Sequence, residues 1–177
     1  PFTHYMRGQA AIAQHQFTVA EQAFLQAQQG AAADTSGLYP RMWFICFNRV
    51  LPLQRLALLC RDQNEPGDAL KYTEAALRAY EEDPEVMRYQ GNQPPPLALV
   101  TTHAELLSIM NRPDDARKVV AQINADPRYA AQLAENEVAR QRLASIEVTA
   151  LRALNRGEEI PDVTSMDASR CRATSFS

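Results

Sequence analysis

The sequence predicts an all-α fold: a right-handed solenoid of about three stacked helical hairpins, with an inserted helix and a C-terminal capping helix. Apolar and small residues recur at helical spacing through most of residues 1–156. Short polar breaks interrupt this periodicity at three places, and small residues flank each break at similar distances. Such a pattern is typical of α-hairpins that pack side by side. We therefore expect one helical domain over residues 1–156 and an extended or disordered tail over residues 157–177.

The boundaries of the three hairpins follow from where the helical periodicity stops. In the first hairpin, His15 and Gln16 separate the two helices. In the second, the turn covers residues 62–66, and the next helix ends before Pro84 because the residue preceding a proline avoids helical backbone. The third hairpin turns at residues 111–113. The predicted helices cover residues 2–14, 18–29, 67–82, 97–110 and 114–125, with a further helix ending near residue 61 and a final region over 127–155 that is broken near Ala134.

Small and aromatic residues of the first hairpin, and the polar turns of the other two, carry a resemblance to a known family. The residues are Gly8, Phe17, Ala20, Phe24 and Ala27, and the turns are Asn64–Ala69 and Asn111–Ala116. On these features the chain resembles the tetratricopeptide repeat (TPR) family over most of residues 2–125. The resemblance implies a stack of hairpins that binds other proteins and catalyses no reaction.

The intervals between equivalent residues indicate insertions. Ala20, Ala69 and Ala116, which we expect to be buried where two helices cross, lie 49 and 47 residues apart, against about 34 in a TPR array. The first insertion, residues 38–50, is predicted to be an extra helix that follows a helix ending at Gly30, and the second includes a loop over 85–96. The inserted helix is rich in aromatic residues, which either pack between hairpins, as we expect, or form an exposed anchor for a partner: Tyr39, Trp43, Phe44 and Phe47.

The resemblance also implies a binding surface, because the first helix of each hairpin lines a groove in the family. Chaperone-binding members use asparagines and lysines there to hold a terminal carboxylate. The asparagine positions are occupied here by Met6, Arg55 and Thr102, so that clamp is not expected. The groove positions of the family fall on Tyr5, Gln9, Ile12, Gln54, Leu58, Arg61, Thr101, Glu105 and Ser108.

These features favour a non-catalytic scaffold or adaptor that binds a partner peptide or helix in the groove. Two alternatives stay open. The chain could be an export or secretion chaperone for an unfolded client, or a docking or regulatory domain of a larger enzyme or multiprotein assembly. In each case the partner is another protein or peptide. The groove could instead be filled by the chain's own tail or by a neighbouring domain.

Charge and hydropathy argue against two other classes of partner. The formal net charge is −3 and the pI about 5.6, whereas nucleic-acid binding calls for a basic patch. The most apolar stretch, residues 42–60, contains Arg49, Pro52 and Arg55, and a membrane-spanning helix needs about 20 mostly apolar residues. The chain starts at Pro1 without a visible signal segment, which suggests a trimmed sequence, and its unpaired cysteines favour a cytoplasmic location.

The sequence predicts neither a catalytic site nor a cofactor. Cys46, Cys60 and Cys171 lack the spacing of a disulfide framework or zinc site. The histidines, His4, His15 and His103, lack the three- or four-residue helical spacing that would place two metal ligands together. His103 and Glu105 are two residues apart and should point to different sides of one helix, so they cannot act together as base and orienting group.

Overall fold

The computed structural model describes residues 1–33, 49–83, 86 and 93–154. These residues form eight α-helices and no strand, which confirms the all-α prediction. The helices are α1 Phe2–Ala13, α2 Phe17–Ala33, α3 Leu51–Asp62, α4 Pro66–Glu82, α5 Leu97–Ile109, α6 Pro113–Ala125, α7 Pro127–Glu135 and α8 Glu137–Ala153.

Three of the connections between helices have the same backbone geometry. His15, Asn64 and Asn111 follow α1, α3 and α5, and their φ angles of 57°, 62° and 57° lie in the left-handed region. This conformation ends the first helix abruptly and redirects the chain, and asparagine adopts it more readily than most residues. The three turns are 49 and 47 residues apart, the same intervals that separate Ala20, Ala69 and Ala116 in the sequence.

The residue after each left-handed position joins the two helices of its hairpin. Its amide donates to a carbonyl five residues earlier in the first helix, which is the long bond of a Schellman motif. Its own carbonyl accepts from the alanine four residues later in the second helix. The donations are Gln16 to Ala11 (2.8 Å), Glu65 to Cys60 (2.8 Å) and Arg112 to Leu107 (2.9 Å), and the alanine amides are those of Ala20 (2.9 Å), Ala69 (3.1 Å) and Ala116 (3.0 Å).

Helices that follow one another among the described residues pack against each other. The pairs α1 and α2, α3 and α4, and α5 and α6 form the hairpins, while α2 contacts α3 and α4 contacts α5. The last long helix, α8, packs on both α5 and α6. The short helix α7 lies between α6 and α8 in the chain. The hydroxyl of its Tyr129 donates a hydrogen bond of 2.8 Å to the Pro95 carbonyl, which connects α7 to the segment preceding α5.

The two helices of a hairpin approach closely because small residues lie between them. Ala20, Ala69 and Ala116 are fully buried, as predicted. In the first hairpin, a Cβ atom added to Gly8 would lie only 2.5 Å from the ring of Phe24, so no larger residue fits at that place without movement. The positions equivalent to Gly8 in the other hairpins carry alanine, and those equivalent to Phe24 carry smaller side chains: Ala57 with Thr73, and Ala104 with Val120.

One predicted boundary is wrong, and a second is displaced by two residues. Helix α2 does not end at Gly30 but continues to Ala33, since the residues after the glycine are alanines, which have the highest helix propensity. The break in the final region falls at Asn136 rather than near Ala134, because the Asn136 side chain accepts a hydrogen bond from the Ala139 amide and so caps α8.

Several predictions concern residues outside the described ranges. They are the inserted helix over 38–50 with Tyr39, Trp43, Phe44 and Phe47, most of the 85–96 loop, and the tail over 157–177. Helix α3 begins at Leu51, so Pro52 lies in its first turn, where a missing amide proton costs little.

We predict that enlarging the buried alanines destabilises the fold. Replacing Ala69 by leucine should lower the free energy of unfolding by about 1–3 kcal/mol, because the extra atoms have no space between α3 and α4. The same change at Ala20 or Ala116 should act similarly. Ala121, which is exposed on α6, is the matched control and should tolerate leucine. Urea unfolding measures the effect, and equal midpoints for the buried and exposed variants would contradict it.

Candidate functional site

Polar contacts join the first helices of consecutive hairpins. Between α1 and α3, Arg55 Nε donates to the Tyr5 hydroxyl at 3.3 Å. Within α1, Gln9 Nε2 donates to the same oxygen at 2.9 Å. Between α3 and α5, Arg61 Nη1 lies 3.9 Å from Glu105 Oε2. Four of the predicted groove residues, Tyr5, Gln9, Arg61 and Glu105, therefore take part in contacts along one run of helices.

The nine predicted groove residues differ in exposure. Tyr5 and Thr101 are 5% and 2% exposed, so neither offers a side-chain surface to a partner. The Thr101 hydroxyl donates to the Leu97 carbonyl of its own helix at 2.8 Å, which meets its hydrogen-bonding requirement internally. The other seven are half-buried: Gln9, Ile12, Gln54, Leu58, Arg61, Glu105 and Ser108.

An open cleft of about 230 Å³ lies between α5 and α8. Two of its lining residues, Glu105 and Ser108, belong to the predicted groove. The residues that α8 contributes were not predicted, because the orientation of α8 depends on its packing against α5 and α6. Their spacing of three or four along the helix is the signal that could have indicated a shared face. The full lining is Glu105, Ser108, Ile109, Arg142, Ser145, Ile146 and Thr149.

The charged groups of this cleft are incompletely paired. Glu105 Oε2 is buried and accepts no hydrogen bond within the described part of the chain. The nearest cation, Arg61, is shared with Asp62, to which its Nη2 donates at 2.9 Å. Arg142 lines the same cleft, is exposed to solvent and makes no ion pair with any described residue. A carboxylate and a guanidinium thus face one cleft without binding each other.

A second polar cluster lies where α4, α5 and α6 meet. His103 Nε2 and Arg112 Nη1 are 3.9 Å and 3.6 Å from Glu74 Oε1. Burial lowers the pKa of His103, and Arg112 adds to that effect, while Glu74 and Asp115 act in the opposite direction. His103 contacts Glu74 whereas Glu105 approaches Arg61, so the two side chains point to different sides of α5, as the spacing predicted.

The described ranges contain neither a metal site nor a membrane-spanning helix. Residues 1–33, 49–83 and 93–154 contain no group of three histidine, cysteine or acidic side chains placed to hold a metal ion. None of the helices in these ranges has the length and apolar character needed to cross a bilayer. Cys60 is buried, as predicted for a small core residue, while Cys46 and Cys171 lie outside the description.

Comparisons with known proteins identified no relative of this chain. No protein-family model, no curated protein and no solved structure matches it significantly. The resemblance to the TPR family therefore depends on the residues and turns of this chain alone.

We predict that His103 makes folding stability depend on pH. Because its pKa is lowered in the folded protein, the unfolded chain binds the proton more tightly. Stability should therefore fall as the pH drops below about 6.5, the ordinary histidine value. His103→Gln should reduce the difference between urea unfolding free energies measured at pH 7.5 and 5.5. An unchanged difference in the variant would contradict this assignment.

We predict that Cys60 is chemically unreactive in the folded protein. Burial raises the pKa of its thiol to about 11, with smaller contributions from Glu65, Glu21 and Asp68. Since the thiolate is the reactive form, little is present at pH 8. With Cys46 and Cys171 both replaced by serine, Cys60 should react with an aromatic disulfide reagent only after unfolding in guanidinium. Rapid modification of the folded chain would show that Cys60 is accessible.

Proposed function

We propose that this protein is a non-catalytic interaction scaffold or adaptor that binds a partner peptide or helix along the first helices of its hairpins. The observation that carries the proposal is the pair of contacts that joins these helices, Arg55 to Tyr5 and Arg61 to Glu105. They support one continuous face across α1, α3 and α5. Seven partly exposed residues of the predicted groove are available along it.

The repeated turn supports a TPR-like solenoid as the form of this scaffold. Equivalent turns every 49 and 47 residues produce hairpins of one kind, and each hairpin packs on the next. Repetition of this kind extends a surface in one direction, which suits an elongated ligand better than a compact one. An intervening segment in each repeat distinguishes the chain from a regular 34-residue array.

The side chains of the face fit protein recognition better than chemistry. Ile12 and Leu58 supply apolar contact area, while Gln9 and Gln54 supply amide donors and acceptors that can bond to a peptide backbone. All four lie on helices held by buried crossing residues. A rigid surface of this kind loses little conformational entropy on binding, which favours affinity.

A charge introduced on the face should weaken partner binding. Leu58→Glu adds a carboxylate to a partly apolar position, so we expect at least a fivefold loss of affinity for the main partner recovered from native extract. Leu58 is a better choice than Arg61, because reversing Arg61 would leave three carboxylates next to one another at Asp62 and Glu105. The measurement is isothermal titration with the partner identified by mass spectrometry.

The matched control is Arg78→Glu, on the exposed side of α4. It should leave affinity unchanged and keep the unfolding free energy within about 0.5 kcal/mol, the usual range for surface substitutions. For the half-buried Leu58→Glu variant, a circular dichroism spectrum that matches the parent protein shows that a loss of affinity is not a loss of fold. Weakening by Arg78→Glu but not by Leu58→Glu would move the binding surface to the second helices. Equal binding of many unrelated unfolded proteins would favour the export-chaperone alternative.

A further inference from the structure

The cleft between α5 and α8 combines apolar walls with one poorly satisfied carboxylate. Ile109 is 56% exposed, an unusual exposure for a large aliphatic side chain, and Ile146 lies in the same lining. The cleft volume of about 230 Å³ is below the range of about 300–1,000 Å³ typical of small-molecule pockets. It is suited to one long side chain rather than to a cofactor.

Glu105 is the group in this cleft that gains most from a ligand. One of its carboxylate oxygens, Oε2, is buried without a hydrogen bond from a described residue, and leaving a buried acceptor unsatisfied is destabilising. The Glu105 side chain as a whole is 34% exposed and lines the cleft, so a ligand in the cleft can approach it. A donor brought to this site would restore part of the lost solvation.

The charges around Glu105 favour a cationic donor. Arg61 and Asp62 form a close pair whose charges cancel, which leaves Glu105 as the net charge on the α5 side. Arg142 on the opposite wall is exposed and can extend into water, where its field is strongly screened. The partly buried carboxylate, in a lower dielectric, therefore dominates the preference of the cleft.

We propose that the cleft binds a lysine or arginine side chain of the partner segment, with the cationic group beside Glu105 and the aliphatic stem against Ile109 and Ile146. Such a side chain matches both parts of the lining, since its stem is apolar and its end is charged. Arg142 opposes the incoming cation and limits its affinity. The assignment rests on the proposed function, because it names one side chain that the bound segment must carry.

Capped single amino acids test the cleft without a partner. The probes are N-acetyl-lysine methylamide, its norleucine analogue, which has the same stem without the ammonium group, and its glutamate analogue. Amide chemical shifts of Ser108, Ile109 and Ser145 report binding at 50 mM salt. We expect the lysine probe to bind at least threefold more tightly than the norleucine probe and the glutamate probe to bind most weakly.

Substitutions at the two charged residues should act in opposite directions. Glu105→Gln should abolish the advantage of lysine over norleucine, whereas Arg142→Gln should tighten lysine binding about two- to threefold. Glu147→Gln, on α8 but outside the cleft lining, is the control and should change neither value. If Glu105→Gln fails to fold, Thr149→Lys provides a second test, because a lysine at this exposed lining position should compete with the probe.

Three results would overturn the proposal: no lysine binding up to 100 mM, equal binding of lysine and norleucine, or preference for glutamate. The last would assign the cleft to an acidic side chain held by Arg142. The outcome is separable from that of the scaffold proposal. If Leu58→Glu weakens partner binding and the lysine probe does not bind, only the cleft assignment fails. If the lysine probe binds and Leu58→Glu leaves partner binding unchanged, the cleft is a cation site and the partner binds elsewhere.

Discussion

One backbone arrangement determines most of this fold: a left-handed residue followed by a residue that hydrogen-bonds to both helices of a hairpin. Glu65 in the second hairpin donates to Cys60 in α3 and accepts from Ala69 in α4. The alanine thereby lies at a set distance from the turn, at the place where α4 crosses α3. Because His15 and Asn111 begin equivalent arrangements, the three hairpins share one turn geometry despite different side chains.

The proposed binding face across α1, α3 and α5 depends on that geometry. When every hairpin turns in the same way, its first helix can lie next to the first helix of its neighbour, and polar side chains such as Arg55 and Tyr5 come within bonding distance. Helix α8 then packs on α5 and α6 and adds its own residues to the far end of the surface. The cleft beside Glu105 exists because α8 packs against α5 and α6.

The sequence was sufficient to place the described helices to within a few residues, because turn residues and helical periodicity are local signals. Asn64 followed by Pro66 and Asn111 followed by Pro113 marked two turns within a residue or two, and Ala20, Ala69 and Ala116 marked the crossings. It was less informative about the binding face. Thr101 was expected in the groove but is buried by tertiary packing, and Arg142 was missed because no local pattern specifies how α8 docks on α5.

The contact between Gly8 and Phe24 makes the helices of the first hairpin a matched pair. The ring of Phe24 occupies the volume that a side chain at position 8 would need. In the third hairpin, the equivalent volume is divided between Ala104 and Val120. Exchanging second helices between these hairpins would place a phenylalanine against an alanine in one and leave a void beside a glycine in the other. The hairpins have the same turn geometry, but a helix of one cannot replace the equivalent helix of another. A larger residue at position 8 therefore requires a smaller one at position 24.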